Sequence, residues 1–554
     1  MRLLKTIDEN ILKWFLGIFL FFIPLYMKFP LRNVTFTYIS IRLDDFVAIL
    51  IIAIFVVQLL RRKISFQNLP FKKYFGLYWL ILFAALASGI YLTQTIDYTS
   101  IGFLHAARRV QYMMLFFIAF ASVRSVKDFK FFMYIFLMSL LIVNIYGLGQ
   151  RLYGFPAIST MNPEFAKGRV LYLTPEARLS STFAGHYDLG AYLVLLFPLM
   201  WGLYFAHEKF ILSLREKMFI LSAAVLPVLV NVTTVAWLAF GFSSLDLVQI
   251  ILTTRLFLFI LLLTTISATL LLSLKGQIQR WAILGIIILS VIVLVGTASR
   301  TSSIAYLVSI SGFLLFFKEF RYLIFVLIFS LTLTAFDTDL VQRWARTIQV
   351  KQIIINRKTG EQVVVQKIRP DELPAGTAFV GEGSALDTKA SALLKQELIN
   401  KATMSGSASS AADYQTYSAV AGDISISTRL QVSWPRAIKA FLRNPFLGTG
   451  PSSITESSDG DYFRMIGETG LLGLVSFFMI FVVLGKFLFD KLRLLRGNAK
   501  ILVYAVVFGV MGLFINATLI DVFEASKVAY TLWAILGLCI ALVHLDKTEL
   551  EKLS

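Results

Sequence analysis

The chain of 554 residues is 57% hydrophobic and only 15% charged, with a mean hydropathy of +0.76. Because a soluble protein is about 25% charged, this composition excludes an ordinary soluble enzyme. In a membrane protein, the net charge of +19 is first explained by basic residues that orient the spans, and only then by a nucleic-acid partner. A single cysteine, Cys539, and four scattered histidines exclude a disulfide framework and argue against a metal site, so we expect neither metal nor cofactor.

Apolar stretches long enough to cross a bilayer recur along the chain. A spanning helix needs about 20 mostly apolar residues, and such stretches must be helical because lipid offers the backbone no hydrogen-bond partner. The pattern predicts an all-α polytopic membrane protein with about 12–14 transmembrane helices and one large external loop. The predicted spans are 11–27, 45–60, 74–93, 109–123, 129–148, 187–206, 217–240, 255–273, 281–297, 301–317, 321–336, 465–489, 500–519 and 527–544.

These spans divide the chain into three regions. Residues 1–336 form an N-terminal helix bundle, residues 337–464 a large extracytoplasmic loop, and residues 465–554 the C-terminal helices. Lys and Arg are more numerous in the short loops on the side of the N-terminus, which places both termini in the cytoplasm. In the large loop, the stretch 353–368 predicts a strand and the Ser/Ala-rich stretch 405–412 a flexible segment.

Arginines on the predicted outer side are the first candidate functional residues. The positive-inside rule disfavours external arginine, and charge at membrane depth is costly. Guanidinium groups bind phosphate oxygens in a planar fork, which suits a phosphate or pyrophosphate ligand. For a single arginine such as Arg178 or Arg429, a snorkelling or helix-end charge is the competing interpretation. For Arg300, between two closely spaced spans, we favour the ligand.

Residues 429–450 predict an amphipathic helix in the large loop. Apolar residues recur there at near-helical spacing, with Trp434 near the start. Asn444-Pro445 ends the pattern, and Gly448 allows a tight turn after it. The residues alone leave two interpretations open, an interfacial helix without a catalytic part and a helix of the substrate site.

Carboxylates gather at the outer mouth of the span that begins near residue 465. A carboxylate there can accept a proton from a sugar hydroxyl if burial or neighbours tune its pKa. For Asp461 we favour a helix cap, for Asp459 the cap and the base remain open, and Glu468 is a structural or second carboxylate. His186, at the start of the span 187–206, can titrate near neutral pH, although a lone histidine there is more often an interfacial hydrogen-bonding residue.

These segments together resemble the superfamily of O-antigen ligases and Wzy-type O-antigen polymerases, most strongly over residues 170–320 and 425–490. The segment from Arg178 resembles the family's Arg-x-x-Gly-Thr-Phe motif, with Ser181 in place of glycine, and Ser299-Arg300-Thr301 resembles its Ser-Arg motif. The large-loop residues that resemble the family's helix are Arg429, Trp434, Ala437, Asn444-Pro445, Gly448 and Gly450.

The segment from Asp459 to Gly470 resembles the family's His-Asn-x-Tyr-Leu-x-x-Leu-x-Glu-x-Gly motif, with Tyr462, Glu468 and Gly470 in register. The chain departs from that motif at its start, because Asp459-Gly460 stands where ligases carry His-Asn. If the ligase histidine activates the acceptor, its absence counts against a ligase. The departure is compatible with a polymerase-like or otherwise divergent member.

The resemblance implies a bacterial membrane glycosyltransferase with the class C glycosyltransferase-like O-antigen ligase fold, located in the cytoplasmic (inner) membrane. It implies metal-independent transfer on the outer leaflet. The donor would be an oligosaccharide on undecaprenyl pyrophosphate, and a sugar hydroxyl of a second lipid-linked chain would attack its anomeric carbon. The expected partners are this lipid-linked oligosaccharide, the lipid bilayer and other proteins of polysaccharide export, with no nucleic acid.

Within the resemblance, each candidate residue takes a role. Arg300 and Arg429 would stabilise the leaving pyrophosphate, and Asp459 would be the base. A ligase that moves a finished glycan to a lipid or protein is one alternative, and a transporter of lipid-linked sugar is another. The long external loop favours the enzyme, since a transporter needs access from both faces. The expected substrate-binding residues are Arg178, His186, Trp434, Tyr462 and Glu468.

Overall fold

The structure is a computed structural model, and among the residues that it describes its mostly helical fold includes eight helices that are long and apolar enough to cross a membrane. Three shorter apolar helices accompany them, so the prediction of an all-α polytopic membrane protein is confirmed at this level. The predicted number of spans stays a prediction. The residues described are 8–33, 40–160, 170–173, 177–206, 213–241, 277–337, 340–341, 348–356, 362–363, 414–422, 429–454 and 459–545.

The helices follow the predicted spans closely. Every predicted span overlaps a helix except 255–273, which lies outside the described residues. The helix α3 continues as a π-helical turn, Ser88–Leu92. The helices are α1 Ile11–Leu25, α2 Leu43–Leu60, α3 Lys72–Ala87, α4 Thr99–Ser122, α5 Val126–Tyr153, α6 His186–Phe205, α7 Leu214–Gly241, α8 Gln277–Gly296, α9 Arg300–Phe316, α10 Phe320–Phe336, α11 Trp434–Arg443, α12 Asp461–Leu492, α13 Gly497–Asn516 and α14 Ser526–His544.

Strands are short and antiparallel. Strand β1, Pro30–Asn33, pairs with β2, Ser40–Arg42, and β3, Pro156–Ile158, pairs with β4, Val170–Tyr172. In the predicted large loop, β5 is flanked by β6 and β7. The strand predicted at 353–368 begins earlier, at Ile348, and the stretch 405–412 lies outside the described residues. The bounds are β5 Ile348–Asn356, β6 Gln362–Val363 and β7 Tyr414–Gly422.

Small residues let the central helices approach closely. A Cβ atom on Gly537 of α14 would lie 2.2 Å from the carbonyl oxygen of Phe116 in α4. A Cβ atom on Gly509 of α13 would lie 2.4 Å from the carbonyl oxygen of Leu195 in α6. Glycine at helix contacts is common in membrane bundles, where van der Waals packing replaces the hydrophobic driving force. These contacts fix the helices whose ends carry the candidate site.

The two ends of the bundle differ. At one end, the Lys527 ammonium donates to the carbonyl oxygens of Pro24, Tyr26 and Thr182 at 3.1, 2.6 and 2.8 Å; we call this the site end. At the opposite end, Lys13 forms ion pairs with Asp128 and Glu216. Because α1 ends and α14 begins at the site end, α1 begins and α14 ends together at the other. This agrees with termini on one side of the membrane; which side it is stays a prediction.

Candidate functional site

The loop after α11 wraps around a break in α12. The helix α11 ends at Arg443, as predicted from Asn444-Pro445, and the amides of Leu471 and Leu472 donate to the carbonyls of Pro445 and Phe446 at 2.9 and 3.1 Å. The break occurs at Gly470, which has a φ of +63°. This interlock fixes the outer part of α12 against the loop.

The same loop is held from its other side by α3 and the turn after it. The Asn444 amide donates to the Ser88 hydroxyl at 2.8 Å, and the Thr95 hydroxyl donates to the Thr449 carbonyl at 2.6 Å. Gly448 and Gly450 have φ values of +66° and +93°, so the predicted tight turn is present. The part of this loop from Asn444 to Gly450 is therefore held firmly at the site end.

Gly470→Ala is expected to destabilise the site end strongly. With a φ of +63° and a ψ of −166°, Gly470 lies in a region of backbone conformation that is essentially restricted to glycine, where another residue costs about 1–3 kcal/mol. A Cβ atom at Gly470 would also lie 2.4 Å from the Phe446 carbonyl oxygen. Gly485→Ala is the matched control in α12, because a Cβ atom at Gly485 meets nothing within 4 Å. Thermal unfolding of the purified protein should separate the two variants, and equal midpoints would contradict this packing.

A network of charged side chains lies beneath this loop. Glu468 is fully buried and pairs with Arg109 of α4 and, at 3.4 Å, with Arg464. Arg109 also pairs with Glu524, and Arg464 pairs with Asp521 at 2.9 Å. The five side chains join α4, α12 and the α13–α14 loop, and we call them the charge network. Since buried charges must be paired to be tolerated, each member holds its neighbours in place.

The contacts of Glu468 within the charge network explain why a carboxylate is buried at this position. Its side chain has no solvent exposure, and it also accepts the backbone amide of Ser452 at 3.2 Å. Of the two roles that the sequence leaves open for Glu468, these contacts favour the structural one. A direct contact of Glu468 with substrate stays a prediction.

Asp459, Arg429 and Trp434 are brought together at the surface of the charge network. Arg429 Nε lies 3.8 Å from Asp459 Oδ2, which is longer than a hydrogen bond, and the indole of Trp434 donates to the Asp459 carbonyl oxygen at 3.3 Å. Arg429 begins a π-helical turn that leads into α11, so the predicted amphipathic helix carries the arginine to the carboxylate.

Asp459 is more exposed to solvent than the three carboxylates of the charge network. Its side chain is 35% exposed, against 18% for Asp521 and Glu524 and 0% for Glu468. Burial of its carboxyl raises the pKa of Asp459 above its ordinary value, and the neighbouring Arg429 opposes that rise. Asp459 has a φ of +49°, in the left-handed region that aspartate tolerates better than most residues.

The two residues after Asp459 lock the mouth of α12 to the α13–α14 loop. The amide of Gly460 donates to Asp521 Oδ1 at 3.0 Å. Asp461 accepts the amides of Val522 and Phe523 at 2.7 and 3.1 Å. It therefore satisfies backbone donors of the α13–α14 loop, and its own helix has no side-chain cap, so the prediction of a helix cap at Asp461 is wrong. The Tyr462 hydroxyl donates to the Phe514 carbonyl oxygen at 2.6 Å, which leaves substrate contact by Tyr462 a prediction.

Arg178 and His186 form a second group at the same end of the bundle, where the helix of Arg300 also begins. Arg178 Nη1 lies 3.1 Å from the Nε2 atom of His186, and His186 is the first residue of α6. The Leu179 amide donates to the carbonyl of Gly296, the last residue of α8, at 2.9 Å. Arg300 then begins α9, so the short reversal predicted from sequence packs beside the Arg178 segment.

Both groups lie within electrostatic reach of Asp521. Its charge acts on Asp459 and also on Asp188, in the first turn of α6 next to His186. The helices confirm the common end, because α13 packs antiparallel to α6 and both α6 and α9 begin there. The structure thus brings Arg429, Asp459 and Trp434 together in one group and Arg178 with His186 in another. Contact between Arg300 and the Arg429 group stays a prediction.

Sequence reasoning missed four members of the charge network, Arg109, Arg464, Asp521 and Glu524. Arg109 lies at the start of a predicted span, and an ionisable residue there needs a partner; that signal identifies Arg109 but not which distant carboxylates pair with it.

Two further observations concern metal ions and known proteins. Among the described residues, no group of three or more His, Cys, Asp or Glu side chains is placed to hold a metal ion. Comparison of the chain with protein-family models and with curated proteins finds no match.

Proposed function

We propose that this protein polymerises lipid-linked oligosaccharides on the outer face of a bacterial cytoplasmic membrane, as a Wzy-like, metal-independent glycosyltransferase. The observation that carries the proposal is the pairing of Asp459 with Arg429 at an accessible mouth between helices. A proton acceptor and a cation side by side suit a reaction in which a hydroxyl loses a proton and a diphosphate gains charge.

The proposed reaction is a single displacement. A sugar hydroxyl of the acceptor forms a bond to the anomeric carbon of the donor, and the bond from that carbon to the polyprenyl pyrophosphate oxygen breaks. Asp459 takes the hydroxyl proton, and the pyrophosphate leaves with the bonding electron pair. Arg429 and Arg300, with Arg178 behind them, stabilise the departing charge. The donor already carries an activated bond, so the step consumes no ATP.

The surroundings of the pair support this assignment. The charge network holds the mouth of α12 rigid, and fixed cations stabilise developing charge best where little solvent must reorganise. The apolar helices offer lipid-facing surfaces along which a polyprenyl tail can lie. The alternative of a ligase rests on the same residues and differs in the acceptor, so the product decides between them.

Reconstitution with lipid-linked repeat units tests the proposal. We expect the purified full-length chain in liposomes to convert single repeats to longer glycans that remain on lipid, as resolved by gel electrophoresis and mass spectrometry. Transfer to a different lipid or protein acceptor would indicate a ligase instead. Movement of the substrate across the bilayer without a new glycosidic bond would indicate a transporter.

The rate should depend on pH through Asp459. The base must be unprotonated, so the rate falls as the pH is lowered through its pKa, and burial raises that pKa above the ordinary 3.8. In Arg429→Gln, the acid limb of kcat/KM for the residual activity is expected to move to higher pH, because the guanidinium no longer favours the carboxylate. An acid limb at the same pH in both proteins would contradict the pairing.

A further inference from the structure

A second set of charged side chains lies at the site end, apart from the charge network. Lys28, Arg42 and Asp44 are 6, 8 and 5% exposed, and the pairing of Pro30 with Arg42 between β1 and β2 brings the Lys28 segment beside Arg42. Asp188, in the first turn of α6, is close enough for its charge to act on Lys28. Buried charges are costly unless they are paired. Their presence together therefore requires an explanation that the charge network does not supply.

These four residues are not paired with one another or with the other described residues. Arg42 Nε and Asp44 Oδ1 are buried without a hydrogen-bond partner among the described residues. Over the same part of the chain, no hydrogen bond or ion pair within 4.0 Å involves the side chain of Lys28 or Asp188. Burial lowers the pKa of Lys28, and the charge of Asp188 opposes this. Two cations and two carboxylates thus share a region without closing into salt bridges, and a third cation there, Lys527, donates to carbonyl oxygens instead.

The backbone that carries Lys28 is held rigidly. Lys527 binds the carbonyls of Pro24 and Tyr26, and Asn231 of α7 binds the Met27 amide at 3.1 Å through its side-chain oxygen. The side-chain amide of Asn231 also donates to the Leu25 carbonyl at 3.2 Å. Four consecutive residues are therefore fixed by buried polar groups, which is the arrangement expected where a following side chain must be held ready for a ligand.

The backbone at Arg42 and Asp44 is also fixed. Arg42 ends β2, and its amide donates to Asp45 Oδ2 at 3.0 Å. Asp45 is held in turn by Arg108 of α4, at 2.8 Å, and Arg108 also donates to the Ser40 carbonyl. Lys28, Arg42 and Asp44 thus stand on two rigid segments, the end of α1 and the start of α2, and Asp188 stands on a third element, α6.

The mixed charge indicates the chemistry of the ligand. An inorganic anion would satisfy Lys28 and Arg42 but would be repelled by Asp44 and Asp188. Sugar hydroxyl groups both donate and accept hydrogen bonds, so one saccharide can donate to the carboxylates and accept from the cations at the same time. Buried polar groups left without partners are costly, and a bound saccharide would remove that cost.

We propose that Lys28, Arg42, Asp44 and Asp188 bind a saccharide, and that this saccharide is the acceptor of the glycosyl transfer proposed above. The assignment of acceptor rests on that proposed function; the assignment of a saccharide site does not. Both places lie at the site end, where α6 begins with Asp188 in its first turn and α12 begins two residues after Asp459. An acceptor held at the four residues would therefore lie on the Asp459 side of the bundle end.

Binding of a free saccharide tests the proposal without catalysis. The probe is the oligosaccharide released by mild acid from lipid-linked repeats of the producing cells, titrated onto the full-length protein in nanodiscs. We expect Lys28→Met and Arg42→Gln to bind it at least ~10-fold more weakly than wild type, because each loses a charge-assisted hydrogen bond. Arg61→Gln is the control, since Arg61 is exposed and pairs with Asp8 at the opposite end.

A stability measurement separates a ligand site from a structural one. Because Lys28→Met removes a buried charge without a direct partner, its melting temperature without ligand should equal or exceed that of wild type. If Lys28→Met does not fold, Arg42→Gln decides alone. The proposal is overturned if the folded variants bind the saccharide as wild type does, or if wild type does not bind it.

The outcome is independent of the polymerase assay. Polymerisation by wild type together with undiminished saccharide binding in the variants would overturn this inference and leave the proposed function standing. Saccharide binding that depends on Lys28 and Arg42, in a protein that forms no glycosidic bond, would overturn the proposed function and leave the saccharide site.

Discussion

Replacing Asp459 by asparagine is expected to lower the polymerisation rate at least ~100-fold, because a positioned general base contributes about 10²–10⁴-fold to rate. Asparagine keeps the size of the side chain but cannot take the hydroxyl proton. The Asp459 carbonyl oxygen, which accepts from Trp434, is retained, so the fold of the mouth should survive. Single-turnover transfer with radiolabelled lipid-linked donor measures the loss.

Asp97→Asn is the matched control for this variant. Asp97 is an exposed carboxylate in the turn between α3 and α4, at the same end of the bundle. We expect the polymerisation rate of Asp97→Asn to match that of wild type. This would show that the slow rate of Asp459→Asn is not caused merely by the loss of one negative charge at this surface. Asp459→Asn with full turnover would remove Asp459 from the mechanism.

Glu468→Gln is expected to cost about 3 kcal/mol of stability, because breaking a buried ion pair leaves charge uncompensated. The glutamine side chain fits the space but no longer balances Arg109 and Arg464. Each arginine keeps one other carboxylate, Glu524 or Asp521, which places the loss at the lower end of the range for such pairs. Thermal or chemical unfolding in detergent measures the change.

Asp8→Asn provides a comparison at the other end of the bundle. Asp8 pairs with Arg61 and Lys63 where all three side chains are partly exposed, and exposed pairs contribute little to stability. We expect its unfolding midpoint to stay close to that of wild type. A Glu468→Gln midpoint as high as that of Asp8→Asn would show that the charge network does not hold the site end together.

The helices could be predicted from sequence because lipid imposes a simple rule. A run of about 20 apolar residues must be helical in a bilayer, and no partner elsewhere in the chain has to be known. The end of α11 was predicted for a similar reason, since Asn444-Pro445 acts locally. The break at Gly470 was not predicted, because it depends on carbonyls of a loop that is separate in sequence.

In the candidate site, too, the features set by local sequence could be predicted, and the contacts between residues distant in the chain could not. The proximity of Asp459 to Arg429 was expected only through the family resemblance, since nothing in residues 429–461 fixes their distance. The pairing of Arg109 with Glu468 joins residues far apart in the chain, and hydrophobic patterning carries no information about it. The structure also assigns Asp461 to the amides of Val522 and Phe523, where local reasoning had given it to its own helix.

The most direct test of the account is the affinity of the protein for the leaving group, a polyprenyl pyrophosphate, measured in nanodiscs. If Arg429 and Arg300 hold the diphosphate, Arg429→Gln and Arg300→Gln should each bind it at least ~10-fold more weakly than wild type, because charge-assisted hydrogen bonds are lost. Arg61→Gln, at the opposite end, should bind it unchanged. Wild-type affinity in both Arg429→Gln and Arg300→Gln would contradict the account.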